Sequence, residues 1–289
     1  MNLAKCFRIE GDRFKLADID PADTCGLDIE KQTAKDLIAD GAKRLAALQE
    51  KLYAESRWAV LILLQGMDAA GKDGVIKHVM SGINPRGCEV HSFTQPTPAE
   101  FDHDFLWPAA MRLPARGRIG IFNRSYYEEV LVTRVRPGLL QAQKLPLALV
   151  TKKIWHQRYQ SIRAFEQHLL RNGMVVLKFH LRISKAEQCR RLLARVEDPA
   201  KRWKFSMSDV EDHRLWPKFM AAYEDMIRHT ATPKAPWYVV PADHKWFAWL
   251  TVAAVISDAL ELLDLKFPAV RGKALAELKK VRRALARQK

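Results

Sequence analysis

At 289 residues, 48% of them hydrophobic, the chain suits one large α/β domain with an appended element and is too apolar to be disordered outside its ends. Lys and Arg outnumber Asp and Glu by 48 to 33, a net charge of +15, which favours a polyanionic partner: nucleic acid, anionic lipid or another phosphate polymer. No apolar run approaches the roughly 20 residues of a membrane span, the segment Met1–Glu10 lacks a signal peptide's apolar stretch, and Cys6, Cys25, Cys88 and Cys189 are scattered without C-x-x-C spacing, so free thiols in the cytoplasm are expected.

Residues 1–28 carry Gly, Pro and Asp without a long period and read as an irregular arm. From Glu30 to Glu55, Leu37, Ile38, Leu45, Leu48, Leu52 and Tyr53 form a helical stripe, giving an N-terminal arm and helix over 1–55. The apolar run Trp58–Leu64 is a buried strand, and a helix follows from Lys72 to about Met80. Short strands are predicted at 88–93 and 118–122, with a helix between them that Thr97 and Glu100 open as a capping box and Pro108 bends or ends. A helix over 145–170 stops at Arg171-Asn172-Gly173, and Met174–Leu181 is the fourth strand. Ser184 and Glu187 form a second capping box for a helix to Val196, and Ser208 opens another to about His229. A fifth strand (236–241) and a long apolar helix (245–263) complete the domain, and 266–289 is a basic tail that reads as a solvated helix face. Strands alternating with helices predict a parallel sheet with right-handed crossovers, buried on both faces.

The junction of the first of these strands with the next helix carries the chemistry. Gly66-Met67-Asp68-Ala69-Ala70-Gly71-Lys72 is G-x-x-x-x-G-K, a loop whose backbone N–H groups wrap a phosphate while the lysine reaches its outer oxygens. With five strands and this loop, a P-loop kinase-like three-layer α/β/α sandwich is predicted, over 56–265. Asp73 stands where a Ser or Thr would place a hydroxyl on magnesium, and Asp68 lies inside the loop, where a bound divalent cation would turn its repulsion of phosphate into attraction. Magnesium, or manganese in its place, is therefore expected on Asp68; the bland alternative is a turn or capping aspartate. Lys77 follows one turn into the helix as a further phosphate candidate.

At the end of the 118–122 strand, Asn123 is a second metal-side candidate, acting through water or on phosphate, and Arg124 can grip phosphate with two parallel hydrogen bonds. Glu128 suits a second acidic role, in metal binding or acceptor positioning. Arg182, Arg190, Arg191 and Arg195, with Lys201, Arg202 and Lys204, form a cluster that suits a lid over about 182–215 and a donor that is itself a chain of phosphates. Read blandly, the same residues are a solvated helix face. Trp203 and Phe205 fit a base stack or a hydrophobic hinge equally. His78, His91, His103, His180 and His213 show no metal spacing and read as structural.

Together, Leu48–Tyr53, Gln65–Gly74, Gly82–Pro85 with Gln95–Pro98, Phe122–Glu128, Lys201–Phe205 and Ala235–Trp246 resemble the family-2 polyphosphate kinases over about residues 30–265. The resemblance implies a thymidylate-kinase-like fold with a helical lid and magnesium-dependent, reversible phosphoryl transfer between inorganic polyphosphate and adenine or guanine nucleotides. It implies catalytic roles for Asp68 and Lys72, and metal and phosphate roles for Asn123 and Arg124. The Asn-Arg-Ser-Tyr-Tyr-Glu form resembles the subgroup that carries AMP to ADP to ATP, in which the residue matching Glu128 bears on acceptor choice. A dimer or tetramer is implied, without nucleic acid. The rivals are an ATP-dependent nucleotide kinase of thymidylate kinase type and a polyanion- or nucleic-acid-binding P-loop protein without turnover.

Overall fold

The computed structural model describes residues 3–288, the side chain of Lys31 aside, so Met1, Asn2 and Lys289 of the sequence-read arm and tail lie outside the described residues. Six strands form one sheet: β1 (Arg8–Ile9), β2 (Ala59–Gln65), β3 (Cys88–Ser92), β4 (Ile119–Asn123), β5 (Met174–Arg182) and β6 (Trp237–Pro241). Their order is β1-β6-β5-β2-β4-β3. The five predicted strands are all parallel. The sixth is a correction: the arm adds a two-residue antiparallel edge, Arg8 opposite Tyr238 and Ile9 opposite Trp237. Two residues are too few to show a period of two, so this strand left no pattern to read.

β2 lies at the sheet centre and all seven of its residues are buried, because helices cover both faces. On one face α1 (Lys31–Glu55), α2 (Lys72–Val79) and α7 (Lys245–Glu261) pack together; on the other α3 (Ile154–Arg171) packs on β5 and on α6 (Trp216–Thr230). Between β5 and α6 the chain makes a helical hairpin, α4 (Lys185–Glu197) and α5 (Met207–Arg214). α8 (Lys273–Ala286) has no buried residue and keeps Leu275, Leu278, Val281 and Leu285 exposed.

Local chemistry moved several boundaries. The helix expected from 145 begins at Ile154; before it lie a 3₁₀ turn at Leu147–Leu149, with Leu147 90% exposed, and a further turn. The helix expected over 208–229 is two helices broken at Leu215, since Pro217 in the first turn of α6 has no N–H to continue the ladder. Its cap is Ser206, whose Oγ accepts from the Ser208 amide, and not Ser208. The stretch after Thr97 is two single turns, Pro98–Phe101 and Trp107–Ala110, the first with the full capping box of Thr97 and Glu100. At α4 only half the expected box forms. The Ser184 hydroxyl accepts from the Glu187 amide, but the Glu187 carboxylate turns to Arg190 and Arg191, and the Ser184 amide donates to Asp243.

Candidate active site at the phosphate loop

Three residues with positive φ shape the loop: Gly66 (+154°), Ala69 (+62°) and Gly71 (+111°). At Gly66 a Cβ would sit 2.9 Å from the Leu181 carbonyl oxygen, so neither the space nor the dihedral admits a side chain. Lys72, the first residue of α2, is buried and folds back on the loop, its Nζ donating to the carbonyls of Gly66 (2.7 Å) and Met67 (3.2 Å). Burial, with Arg124 nearby, pushes the ammonium pKa down to about 8, against the pull of Asp68, Glu128 and Asp73.

This depression gives a pH signature. Unliganded, Lys72 loses its charge as pH rises through about 8, and a phosphate bound against its Nζ would hold the proton on. The kcat/KM for the phosphate donor is therefore expected to fall above about pH 8, with kcat persisting to higher pH. A donor kcat/KM flat to pH 9.5 would rule this out.

Arg124 follows β4 with φ +64° and reaches across to the loop. Its Nη2 donates to Asp68 Oδ1, and its Nη1 to Glu128 Oε2 at 3.1 Å. Burial opposes ionisation of Asp68, but Arg124, Lys72 and Arg195 outweigh it and hold the carboxyl below its usual range. Glu128 and then Asp68 keep Arg124 firmly charged. Asn123 Nδ2 donates to Asp73 Oδ1 (2.8 Å), and Lys204 reaches the other Asp73 oxygen at 3.4 Å. Asp73 thus joins the strand end to the tip of the helical hairpin.

Among the described residues no group of three or more His, Cys, Asp or Glu can hold a metal by itself. Two hard oxygen donors are nevertheless available: the ionised Asp68 carboxylate, and Asn123 Oδ1, a buried acceptor without a partner. That sparse, all-oxygen set fits magnesium, which keeps several waters and completes its shell with substrate phosphates.

The candidate lid cations separate into different environments. Lys201, Arg202 and Lys204 are exposed at the hairpin tip, with Trp203 (74% exposed) and Phe205 (67%) turned to solvent rather than into a hinge core. Arg190 is exposed and paired with Glu187. Lys77 is exposed on α2, beyond the loop. Arg195 is partly buried and pairs with Asp209 at 2.9 Å across the hairpin. Arg182 lies at the end of β5 with Nη1 on Met220 Sδ and Nε unpartnered; desolvation lowers its pKa against Asp243. Arg191 differs most from expectation. It is buried, and its guanidinium makes five hydrogen bonds, all to protein.

Beside Asp68, Arg124 and Glu128 opens a cleft of about 930 Å³, walled by the segment 90–112, the turn around Glu129 and Arg136, and α5. Sequence reasoning missed several of its residues: Asp209 and Asp212, one turn apart on α5, and Arg136, which donates to Asp212 Oδ1 at 2.6 Å. Burial raises the pKa of both aspartates. The i, i+3 spacing of the two acids was the available signal. His180 is wholly buried between sheet and α6, its pKa pushed down to about 3 by desolvation, and stays neutral against Tyr223.

A mixed sheet, parallel but for its β1 edge, with a G-x-x-x-x-G-K loop after its central strand, a buried loop lysine and a facing arginine–carboxylate pair define a phosphotransferase of P-loop kinase-like fold. The sequence model of the polyphosphate kinase 2 family matches residues 28–268, and the chain belongs to that family. An ADP-polyphosphate phosphotransferase of Rhodopseudomonas palustris is 49% identical over 256 residues, covering 88% of this chain and 89% of that one. An AMP/ADP-polyphosphate phosphotransferase of Meiothermus ruber is 45% identical over 265 residues, 91% and 95% of the two chains. The crystal structure of polyphosphate kinase 2 from Arthrobacter aurescens is 38% identical, with a TM-score of 0.89, and covers 100% of this chain and 98% of that one.

Proposed function

We propose that this protein transfers the terminal phosphoryl group of inorganic polyphosphate to adenine nucleotides, reversibly, carrying AMP to ADP and ADP to ATP. The observation that carries the reading is Arg124, which bridges Asp68 of the phosphate loop and Glu128 at the mouth of the cleft. A guanidinium there stands between the phosphate on the loop and an acceptor in the cleft, where negative charge accumulates during transfer. At about 930 Å³ the cleft has the volume of a small-ligand site and accommodates a nucleotide. Lys201, Arg202, Lys204 and Arg190, exposed around the loop, supply the extended positive surface that a polymeric donor needs.

Asp68, with Asn123, would hold magnesium, which when bound neutralises phosphate charge. Lys72 holds the oxygens of the group in transit once phosphate draws its Nζ from the Gly66 and Met67 carbonyls. The acceptor phosphate is already a competent nucleophile, so no strong general base is required. The hairpin of α4 and α5 excludes water from the transfer.

Purified protein with AMP, long-chain polyphosphate and magnesium is expected to yield ADP and then ATP, followed by chromatography, and neither without polyphosphate. Turnover of ADP but not AMP would remove the AMP step. Equal turnover with ATP as the only phosphoryl donor would replace polyphosphate kinase by a nucleotide kinase.

A further inference from the structure

Each carbonyl of the loop from Gly66 to Ala70 is bonded by a side chain. Lys72 takes Gly66 and Met67, Gln188 takes Asp68 (3.1 Å), and Arg191 takes Ala69 and Ala70 (both 3.1 Å). Lys72 belongs to the loop, but Gln188 and Arg191 come from α4, three residues apart on one face, and both are buried. Of the remaining bonds of Arg191, two reach the residues just past β6, Nη2 donating to the carbonyls of Ala242 (2.6 Å) and Asp243 (3.0 Å), and the third is within α4, Nε donating to Glu187 Oε1 (2.6 Å). Five bonds match the five N–H groups a guanidinium carries, so none is left for a phosphate oxygen.

We infer that Arg191 and Gln188 are positioning residues. They hold the carbonyls of Asp68, Ala69 and Ala70 away from the phosphate, leaving the loop amides to face it, apart from that of Ala70, which donates to the Met67 carbonyl. A peptide that rotated would present a carbonyl oxygen, and the same loop would then repel the phosphate it is shaped to bind. Gln188 also carries the link further. A carbonyl can only accept, so the Gln188 amide must point its NH₂ at Asp68 and its Oε1 at His213, 2.7 Å away, whose Nδ1 therefore bears the proton. The orientation of the loop is thereby tied to α5, the helix that walls the cleft with Asp209 and Asp212.

The test is the affinity of the loop for phosphate, read by calorimetry with tripolyphosphate as probe, in wild type, Arg191→Met, Arg191→Lys and Gln188→Leu. Both Arg191 variants are expected to weaken tripolyphosphate binding by about tenfold or more and to cut kcat by up to about 10²-fold, because a misplacement of 1 Å suffices for that. Gln188→Leu should lower both less. The KM for the nucleotide should stay unchanged in the Arg191 variants, since Arg191 does not line the cleft. Arg191→Lys keeps the charge and serves should Arg191→Met fail to fold. A purely structural role would instead lower the melting midpoint while leaving donor affinity and kcat per folded molecule intact, and that result overturns the inference. The choice of probe rests on the polyphosphate reading. If wild type binds ATP but not tripolyphosphate, that reading falls and the same comparison is made with ATP, where unaltered affinity in the Arg191 variants again overturns the inference.

Discussion

Replacing Lys72 with alanine is expected to lower turnover by about 10³-fold or more while the protein still folds. A single preorganised donor aimed at developing charge is worth about 10²–10³ in kcat, and Lys72 adds a full charge inside a buried site. Its loss also removes one of the cations, beside Arg124 and Arg195, that hold the Asp68 carboxyl ionised. Stability should change little, because two consequences offset. The Gly66 and Met67 carbonyls lose a donor, but the fold no longer has to bury an ammonium whose pKa desolvation depresses to about 8. The sign follows from that depression: between about pH 8 and 10.5 the unfolded chain binds a proton that the folded one does not, so wild-type stability rises with pH across this window. Lys72→Ala should lose that rise. The measurements are kcat with saturating polyphosphate and nucleotide, and the melting midpoint at pH 7 and 9. A variant retaining near-normal kcat would remove the phosphate-loop mechanism altogether.

The loop was legible because its information is local: strand, glycines and lysine lie within the contiguous residues 59–72, and Gly66 and Gly71 take the positive φ that glycine allows. Asn123, Arg124 and Glu128 were also legible, because strand order alone places the end of β4 beside the end of β2. The cations of 182–204 were not. Counting charge cannot distinguish Arg190, which faces water, from Arg191, one residue on, which faces the backbone of the loop. The partners of Arg191 are main-chain carbonyls, and a sequence holds no record of which carbonyls lack a donor. Gln188 escaped for the same reason and for want of a charge. The edge strand β1 was hidden by its length, and the helix break at Leu215 by an apolar period that runs through it.

Glu166→Ala is expected to destabilise the fold by about 3–5 kcal/mol, the cost of stranding one member of a buried ion pair. Lys178 interrupts the apolar strand β5 and is 0% exposed; its Nζ lies 2.7 Å from Glu166 Oε2, with Glu166 2% exposed on α3. Burial lowers the Lys178 pKa, opposed by Glu166, so removing the carboxylate leaves only the unfavourable half. Two more groups lose their acceptor at once, since the hydroxyls of Tyr126 (2.9 Å) and Tyr127 (2.7 Å) both donate to Glu166 Oε1. The double replacement Lys178→Met with Glu166→Leu removes both charges and should be less destabilised than Glu166→Ala alone, a difference that denaturant unfolding at pH 7 resolves. Equal stability of Glu166→Ala and wild type would show that the pair is not holding its neighbours. The same network bears on activity. Tyr126 and Tyr127 lie between Arg124 and Glu128 in sequence, so the side chains that pin this turn to α3 also fix where Glu128 stands relative to Arg124. Below its melting transition, Glu166→Ala should therefore lose turnover as well as stability.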